Sequence, residues 1–497
     1  MARYILGIDQ STRGTKAVIF DHDAGIVSSA YREITQYYPQ PGWVEHDPEE
    51  IWKSTLKVIG ETLKNGRVAP EEIEAIGISN QIGTTIFWNK ETGEPIGRAI
   101  VWQDRRTQPI CERLGETDQA GVQARTGLVI VPNWAGTKIR WLMENDKSVQ
   151  KGIARSEILF GTIDSWLIWK LSGGAIHVTD LSNAACTLLL NARTLTYDEW
   201  MLNELAIPRD ILPNLCSSSE IYAHTDPDMF LGVRIPIGGV ATDQSAALFG
   251  QVCFKAGMAK TTFGTGSSLT LNIGNKYIAP ESGLIAPVHW AIGGNVTYGL
   301  AGWHNVSGGV IEWLKGGLGI IRKDREADGL AAQVPDTQGV YFVPAFMGLD
   351  APYSDSYARG MIIGITSETK KHHIARAALE AIIYQIRDSY ELMKQKLDLE
   401  IAVVRADGGG AQSDFLLQFE ADMLGIPVER PAMTETTVLG AAYLAGLAVG
   451  YWQSLEEIAS KWRVERRFDP SISVDRRDYL YHGWQKAIRH ATGWLKE

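Results

Sequence analysis

Between Gly238 and Ser268 the chain reads GGVATDQSAALFGQVCFKAGMAKTTFGTGSS, and several residues of this stretch could do chemistry. Asp243 is a lone carboxylate in a small-residue turn that leads into an apolar, helix-like run. Downstream, TTF reads as a strand and GTGSS as a hydroxyl-rich turn. Small residues let backbone N–H groups approach phosphate oxygens closely, and Thr265, Ser267 and Ser268 add hydroxyl donors. A carboxylate near such a cradle can accept the proton of an attacking hydroxyl while the cradle holds the group in transfer. An Asp before a helix is more often an N-cap, and this stretch alone leaves both roles open.

The N-terminus carries a second copy of the idea. Tyr4 to Asp9 is an apolar run ending in IDQ, STRGT is a tight hydroxylated turn, and KAVIFD returns as a strand. Asp9 ends the first strand, where a hydrated magnesium ion would find an oxygen ligand, or where the Asp would simply cap the hairpin. The segment IAVVRADGGGAQSDFLLQFE is strand, Gly-rich loop and helix, a ready anion site. EAIGISNQIGTTIFWN reads as strand with a polar break from Asn80 to Thr85, which places polar groups at a sheet edge. AIVWQDRRT places Trp102 beside Asp104 and two arginines, Arg105 and Arg106, residues that could line a polyhydroxyl pocket or form a structural Arg-Asp pair with a half-buried Trp.

The elements that must position these residues form two similar halves. A helix opens at Pro48 behind an acidic turn, and a long amphipathic helix covers HHIARAALEAIIYQIRDSYELMKQKL. A chain of 497 residues exceeds what one core holds, so two large domains are expected, 1–250 and 251–497, each an α/β unit with a hairpin phosphate loop. The net charge of -10 argues against a nucleic-acid or anionic-membrane partner. Four scattered cysteines without a zinc-like spacing read as reduced thiols in the cytoplasm. Thr436 to Leu455 holds no charge until Glu456, but its glycines and alanines predict a buried helix with a small-residue packing face, not a membrane span.

The motifs GIDQSTRGTKAVIFD, GWVEHDPEEIW, ATDQSAALFGQ, AKTTFGTGS, YFVPAFMGLDAPY, ADGGGAQSDFLLQFEADML and ETTVLGAAYLAG carry a family likeness over essentially the full length. In this order they resemble the FGGY carbohydrate kinases, and within them the glycerol kinase branch. The resemblance implies two ribonuclease H-like domains of the actin and hexokinase ATPase class closing on a cleft. It implies phosphoryl transfer from MgATP to a hydroxyl of a small polyol or sugar. It places Asp243 as the catalytic base and Asp9 as the magnesium-associated carboxylate. It places Ser11, Thr12, Arg13, Lys16, Thr265, Gly266, Gly308, Glu312, Gly409 and Ser413 around ATP. Lys16 stands where the family carries an Arg, so phosphate neutralisation by a point charge is expected. A homodimer or homotetramer is implied as well.

The departures from the family pattern fall where the acceptor would touch. The resemblance assigns the acceptor to Gln81, Ile82, Gly83, Trp102, Asn133, Asp243, Gln244 and Ser268. The family's Arg-Glu pair after Asn-Gln is replaced by Ile82 and Gly83, its pocket Tyr by Asn133, and an aromatic after the second loop by Ser268. A pocket that loses buried hydrogen-bond partners loses about 1–3 kcal/mol for each neutral bond. The expectation is therefore an acceptor larger than glycerol, a four- or five-carbon polyol or ketose. The alternatives are glycerol itself and, more remotely, an actin- or chaperone-like ATPase.

Overall fold

The computed structural model describes residues 3–496 and is organised by one sheet of thirteen strands. The strands are β1 (Tyr4–Gln10), β2 (Gly14–Phe20), β3 (Ile26–Glu33), β4 (Ile73–Asn80), β5 (Ser219–His224) and β6 (Pro236–Thr242) in the first half. The second half supplies β7 (Met258–Phe263), β8 (Ser267–Gly274), β9 (Val288–Ile292), β10 (Asn295–His304), β11 (Val403–Asp407), β12 (Val428–Pro431) and β13 (Val464–Phe468). Their order across the sheet is β13-β12-β11-β7-β8-β10-β9-β5-β6-β4-β1-β2-β3. The series β3-β2-β1-β4-β6 and β10-β8-β7-β11-β12 share a layout: an antiparallel meander followed by two parallel strands. Two similar α/β units are therefore present, joined edge to edge through β9 and β5.

Local sequence explains why the helices begin where they do. In α1 (Pro48–Gly66), Asp47 accepts the Glu49 and Glu50 N–H groups, and Pro48 takes the first helical position, where no N–H is needed. Ile51, Val58, Ile59 and Leu63 recur at helical spacing and are buried on the first-half sheet. Strands β1, β4 and β6 are nearly continuous apolar runs because helices cover both of their faces.

The second cover comes from two helices that follow β6, one from each half of the chain. Helix α2 (Asp243–Gly250) and a later helix, α3 (Thr436–Ala448), pack together and against these strands. Helix α3 is the uncharged stretch expected to be a buried helix, and it is buried from Val438 to Gly446. Its small residues let backbones meet: a Cβ at Gly77 of β4 would lie 2.1 Å from the Ala441 carbonyl oxygen. A division at Gly250 thus separates the chain but not the packing, since residues beyond it cover the first-half sheet. No helix among the described residues is long and apolar enough to cross a membrane.

Candidate active site

Three parallel strands bring two carboxylates to one sheet edge. Asp9 is in register with Ser79, and Ser79 with Ala241, so Asp9 and Asp243 lie at the same end of β1 and β6, with β4 between the two strands. Carboxyl ends of parallel strands are where α/β sheets gather ligands. Thr242 takes the cap position of α2, and Asp243 is the first helical residue, its Oδ1 accepting the Gln244 N–H at 2.7 Å. Ser79 Oγ donates to Asp9 Oδ1 at 2.9 Å.

The electrostatics suit proton transfer. Burial pushes Asp243 up to about 7, Asp9 adds to the rise, and the Gln244 N–H and Lys260 oppose it. Burial also pushes Asp9 up to about 6, with the Ser79 hydroxyl and Lys16 pulling the other way. Two half-buried carboxylates with raised affinity for protons form a place where positive charge is wanted. Among the described residues no group of three His, Cys, Asp or Glu side chains could hold a metal unaided. A carboxylate such as Asp9 fits the needs of magnesium, which binds through one or two carboxylates together with phosphate oxygens and water.

The two hairpin turns lie on either side. In the first, Ser11 uses both its N–H and Oγ on the Gly14 carbonyl, at 2.9 and 3.0 Å, and Thr12 Oγ1 accepts the Trp102 indole N–H at 2.9 Å. Arg13 is exposed. Lys16, expected to face phosphate, has its ammonium bound to both oxygens of Glu435 at 2.8 Å, because the start of α3 brings that carboxylate to β2. The second turn, 264–266, is held from below: the Gly308 N–H donates to the Gly264 carbonyl and the Ser307 N–H to that of Thr265, at 3.0 and 2.9 Å.

The Gly-rich loop divides its labour. Gly408 has φ of +83°, and a Cβ there would strike the Phe263 carbonyl, so the fold itself demands glycine. A Cβ at Gly409 would meet nothing within 4 Å, so packing does not demand glycine there. Ser413 caps the following helix through Leu416 N–H and donates to Asp328 at 2.7 Å. Glu312 is exposed and pairs with Lys315 at 2.8 Å, away from the two carboxylates' network.

The residues expected at the acceptor separate into those that face inward and those that stay available. Gln81 is buried, and its amide donates to Gln10 Oε1 at 2.8 Å and accepts from Thr84 Oγ1 at 3.0 Å. It braces the loop that carries Ile82 and Gly83, since its polar atoms are used internally. Ile82 packs against a neighbouring apolar cluster. Gly83, at φ +58°, lies so close to the Asn133 carbonyl that a Cβ would sit 2.3 Å from it. Asn133 Oδ1 accepts from Arg105 at 3.1 Å. Trp102 meets Trp303 of the second half edge to face, centroids 6.2 Å apart. Gln244 Oε1 accepts from Ser268 Oγ at 3.2 Å and from Lys260 Nζ at 3.1 Å.

Of the two roles the sequence leaves open for this segment, the structural Arg-Asp pair is the one formed, with Arg106 as the partner. Asp104 binds Arg106 through both oxygens and accepts the Val44 N–H, a fully buried structural pair.

Comparison with known proteins identifies this arrangement. Residues 4–250 match the N-terminal domain of the FGGY family of carbohydrate kinases, and residues 259–449 match its C-terminal domain. The chain belongs to the FGGY family of carbohydrate kinases. It is 50% identical over 495 residues to a Thermotoga maritima protein named glycerol kinase 2, covering 99% of this chain and all of that one. It is 49% identical over 496 residues to a glycerol kinase of Carboxydothermus hydrogenoformans, covering 100% of this chain and 99% of that one. Among solved structures, Plasmodium falciparum glycerol kinase with ADP superposes with a TM-score of 0.93 at 33% identity, over 99% of this chain and 98% of that one. This FGGY kinase is thus an ATP-dependent sugar or polyol kinase of the glycerol kinase type, with the actin- and hexokinase-like fold.

Four residues of the kinase that sequence reasoning passed over stand beside those it singled out. Glu435 binds Lys16, Asp407 binds Thr262 Oγ1 at 2.6 Å, Lys260 binds Gln244, and Lys138 donates to the Asn133 and Gly83 carbonyls at 2.6 and 3.3 Å. Lys260 carried a signal, as the single charge between Lys255 and Lys276.

Proposed function

We propose that this kinase transfers the γ-phosphoryl group of MgATP to a hydroxyl of glycerol. The observation that carries the acceptor is the full-length identity of about half with proteins named glycerol kinase. The larger acceptor expected from the sequence is thereby the second reading. It keeps one specific support: Ile82 packs into a core cluster and Asn133 is engaged by Arg105, so neither of these two positions offers the acceptor a charged grip.

In the proposed mechanism Asp243 accepts the proton of the attacking hydroxyl, a task its raised proton affinity suits. Asp9 would hold magnesium, which when bound supplies positive charge that neutralises phosphate oxygens. The turns at 11–13 and 264–266 would steady the phosphates, and the open backbone at Gly409 would admit the adenosine. Thus residues 1–250 chiefly bind the acceptor and 251–497 chiefly bind ATP. Positioning and electrostatic stabilisation supply most of the acceleration, as phosphoryl transfer asks little covalent chemistry of the protein. The setting we propose is the cytoplasm, with Cys111, Cys186, Cys216 and Cys253 as free thiols.

A coupled ADP-release assay across glycerol, erythritol, threitol, pentitols and the C4 and C5 ketoses tests the choice. The proposal expects the highest kcat/KM with glycerol. A four- or five-carbon compound ahead by tenfold would replace it with the second reading.

A further inference from the structure

A fully buried lysine sits on β7, where an ammonium is expensive to keep unless its protons are matched. Lys260 Nζ donates to Gln244 Oε1 at 3.1 Å and to Thr262 Oγ1, and lies 3.8 Å from Asp407 Oδ1. Each partner leads to a different substrate. Gln244 follows Asp243 and donates its backbone N–H to that carboxylate. Asp407 precedes the Gly408–Gly409 loop and is fixed by Thr262 Oγ1 at 2.6 Å and Thr436 Oγ1 at 3.0 Å.

An ammonium cannot accept a hydrogen bond, so it dictates the polarity of the carboxamide it touches. With Lys260 and Ser268 both donating to Oε1, Gln244 must turn its NH2 group away from them. We propose that Lys260 is a positioning residue for phosphoryl transfer, one that fixes the Gln244 amide as a donor toward the acceptor and ties it to the Gly409 loop. The recognised feature of the acceptor at that point is then an oxygen that accepts a hydrogen bond. This inference rests on the kinase reading above.

The same ammonium bears on the base. The charged groups facing Asp243 are Asp9 on β1, which holds the proton on, and Lys260, which helps to release it. Facing Lys260 besides Asp243 are Asp407 and His289, the latter kept neutral by burial and by Lys260 itself. Removing the ammonium leaves Asp243 with Asp9 alone.

The test is the pH profile of acceptor-dependent ADP release by the full-length wild type and by Lys260→Met, Ser268→Ala and Gln244→Leu. Lys260→Met is expected to raise acceptor KM about tenfold and ATP KM by less than about threefold. It is also expected to move the acidic limb of kcat/KM upward by about half a pH unit or more. Ser268→Ala should raise acceptor KM about threefold with the limb in place, and Gln244→Leu combined with Lys260→Met should be no worse in acceptor KM than Lys260→Met alone. An unmoved limb with unchanged acceptor KM in Lys260→Met overturns the proposal, whatever happens to thermal stability. If that variant does not fold, an unchanged acceptor KM in Ser268→Ala overturns it, and a raised one supports it. A wild type without acceptor-dependent turnover overturns the kinase reading and the proposal together, which separates the two failures.

Discussion

The hairpins Tyr4–Phe20 and Met258–Gly274 have the same plan and opposite chemistry. Each strand pair is joined by three residues, 11–13 and 264–266, and in each the first strand pairs in parallel with a later one. One residue before the end of the first strand, the first hairpin carries Asp9, which accepts a hydrogen bond from Ser79 on the parallel partner. At the matching place the second hairpin carries Thr262, which donates to Asp407 on its parallel partner. Donor and acceptor have changed places. In the first half the carboxylate stays half-buried at the sheet edge beside Asp243, whereas in the second it is buried beneath its loop with two hydroxyls bound to it. On the proposed mechanism, one supersecondary unit would serve reaction on one side and scaffolding on the other.

Asp243→Asn should break the reactive side most severely, lowering kcat by about 10² to 10⁴ while ATP still binds. The variant retaining more than about a tenth of the wild-type rate would show that another group takes the proton. Because the folded state raises Asp243 from 3.8 to about 7, its ionisation opposes folding. Stability from this residue thus falls as pH rises through that window. Asp243→Asn should accordingly melt about 1–3 °C higher than wild type at pH 8, and the difference should vanish near pH 4.

The next pair of variants addresses the exchange directly. Asp9→Asn should cost about 100-fold in kcat with no loss of thermal stability, since burial already disfavours its charge. Asp407→Asn would set an NH2 group against hydroxyl donors, so it should destabilise by about 1–3 kcal/mol, measured by denaturant unfolding, with a smaller effect on turnover. Equal effects of the two on rate and stability would show that the hairpins do not divide the work in this way.

Smallest is the effect expected at Glu435. Freeing Lys16 by Glu435→Gln should lower ATP KM about two- to threefold, because a half-exposed pair contributes little and its ammonium becomes available to phosphate. A raised ATP KM would show that the pair itself organises the first turn.

Much of this was legible in the chain. Hairpins, helix starts and the Gly-rich loop depend on short-range signals such as Asp47-Pro48, STRGT and DGGG, which act within a few residues. The small-residue helix from Thr436 was readable as buried, yet its packing on β1, β4 and β6 was not, because that contact joins residues hundreds apart. The same distance hid Glu435 from Lys16 and Asp407 from Thr262. The partners of Gln81 were hidden for a related reason: a polar residue at a strand end looks available, and only the packing of Gln10 and Thr84 around it shows that its amide is engaged.

The central claim is that Asp243 activates the hydroxyl of a glycerol-type acceptor at the ends of β1 and β6. Its most direct test is the initial rate of ADP release from MgATP with and without glycerol, for wild type and Asp243→Asn side by side. The account predicts a wild-type rate at least about tenfold above the no-acceptor control, and a variant rate near that control. Wild-type turnover that ignores the acceptor, or a variant that keeps its glycerol dependence, would contradict it.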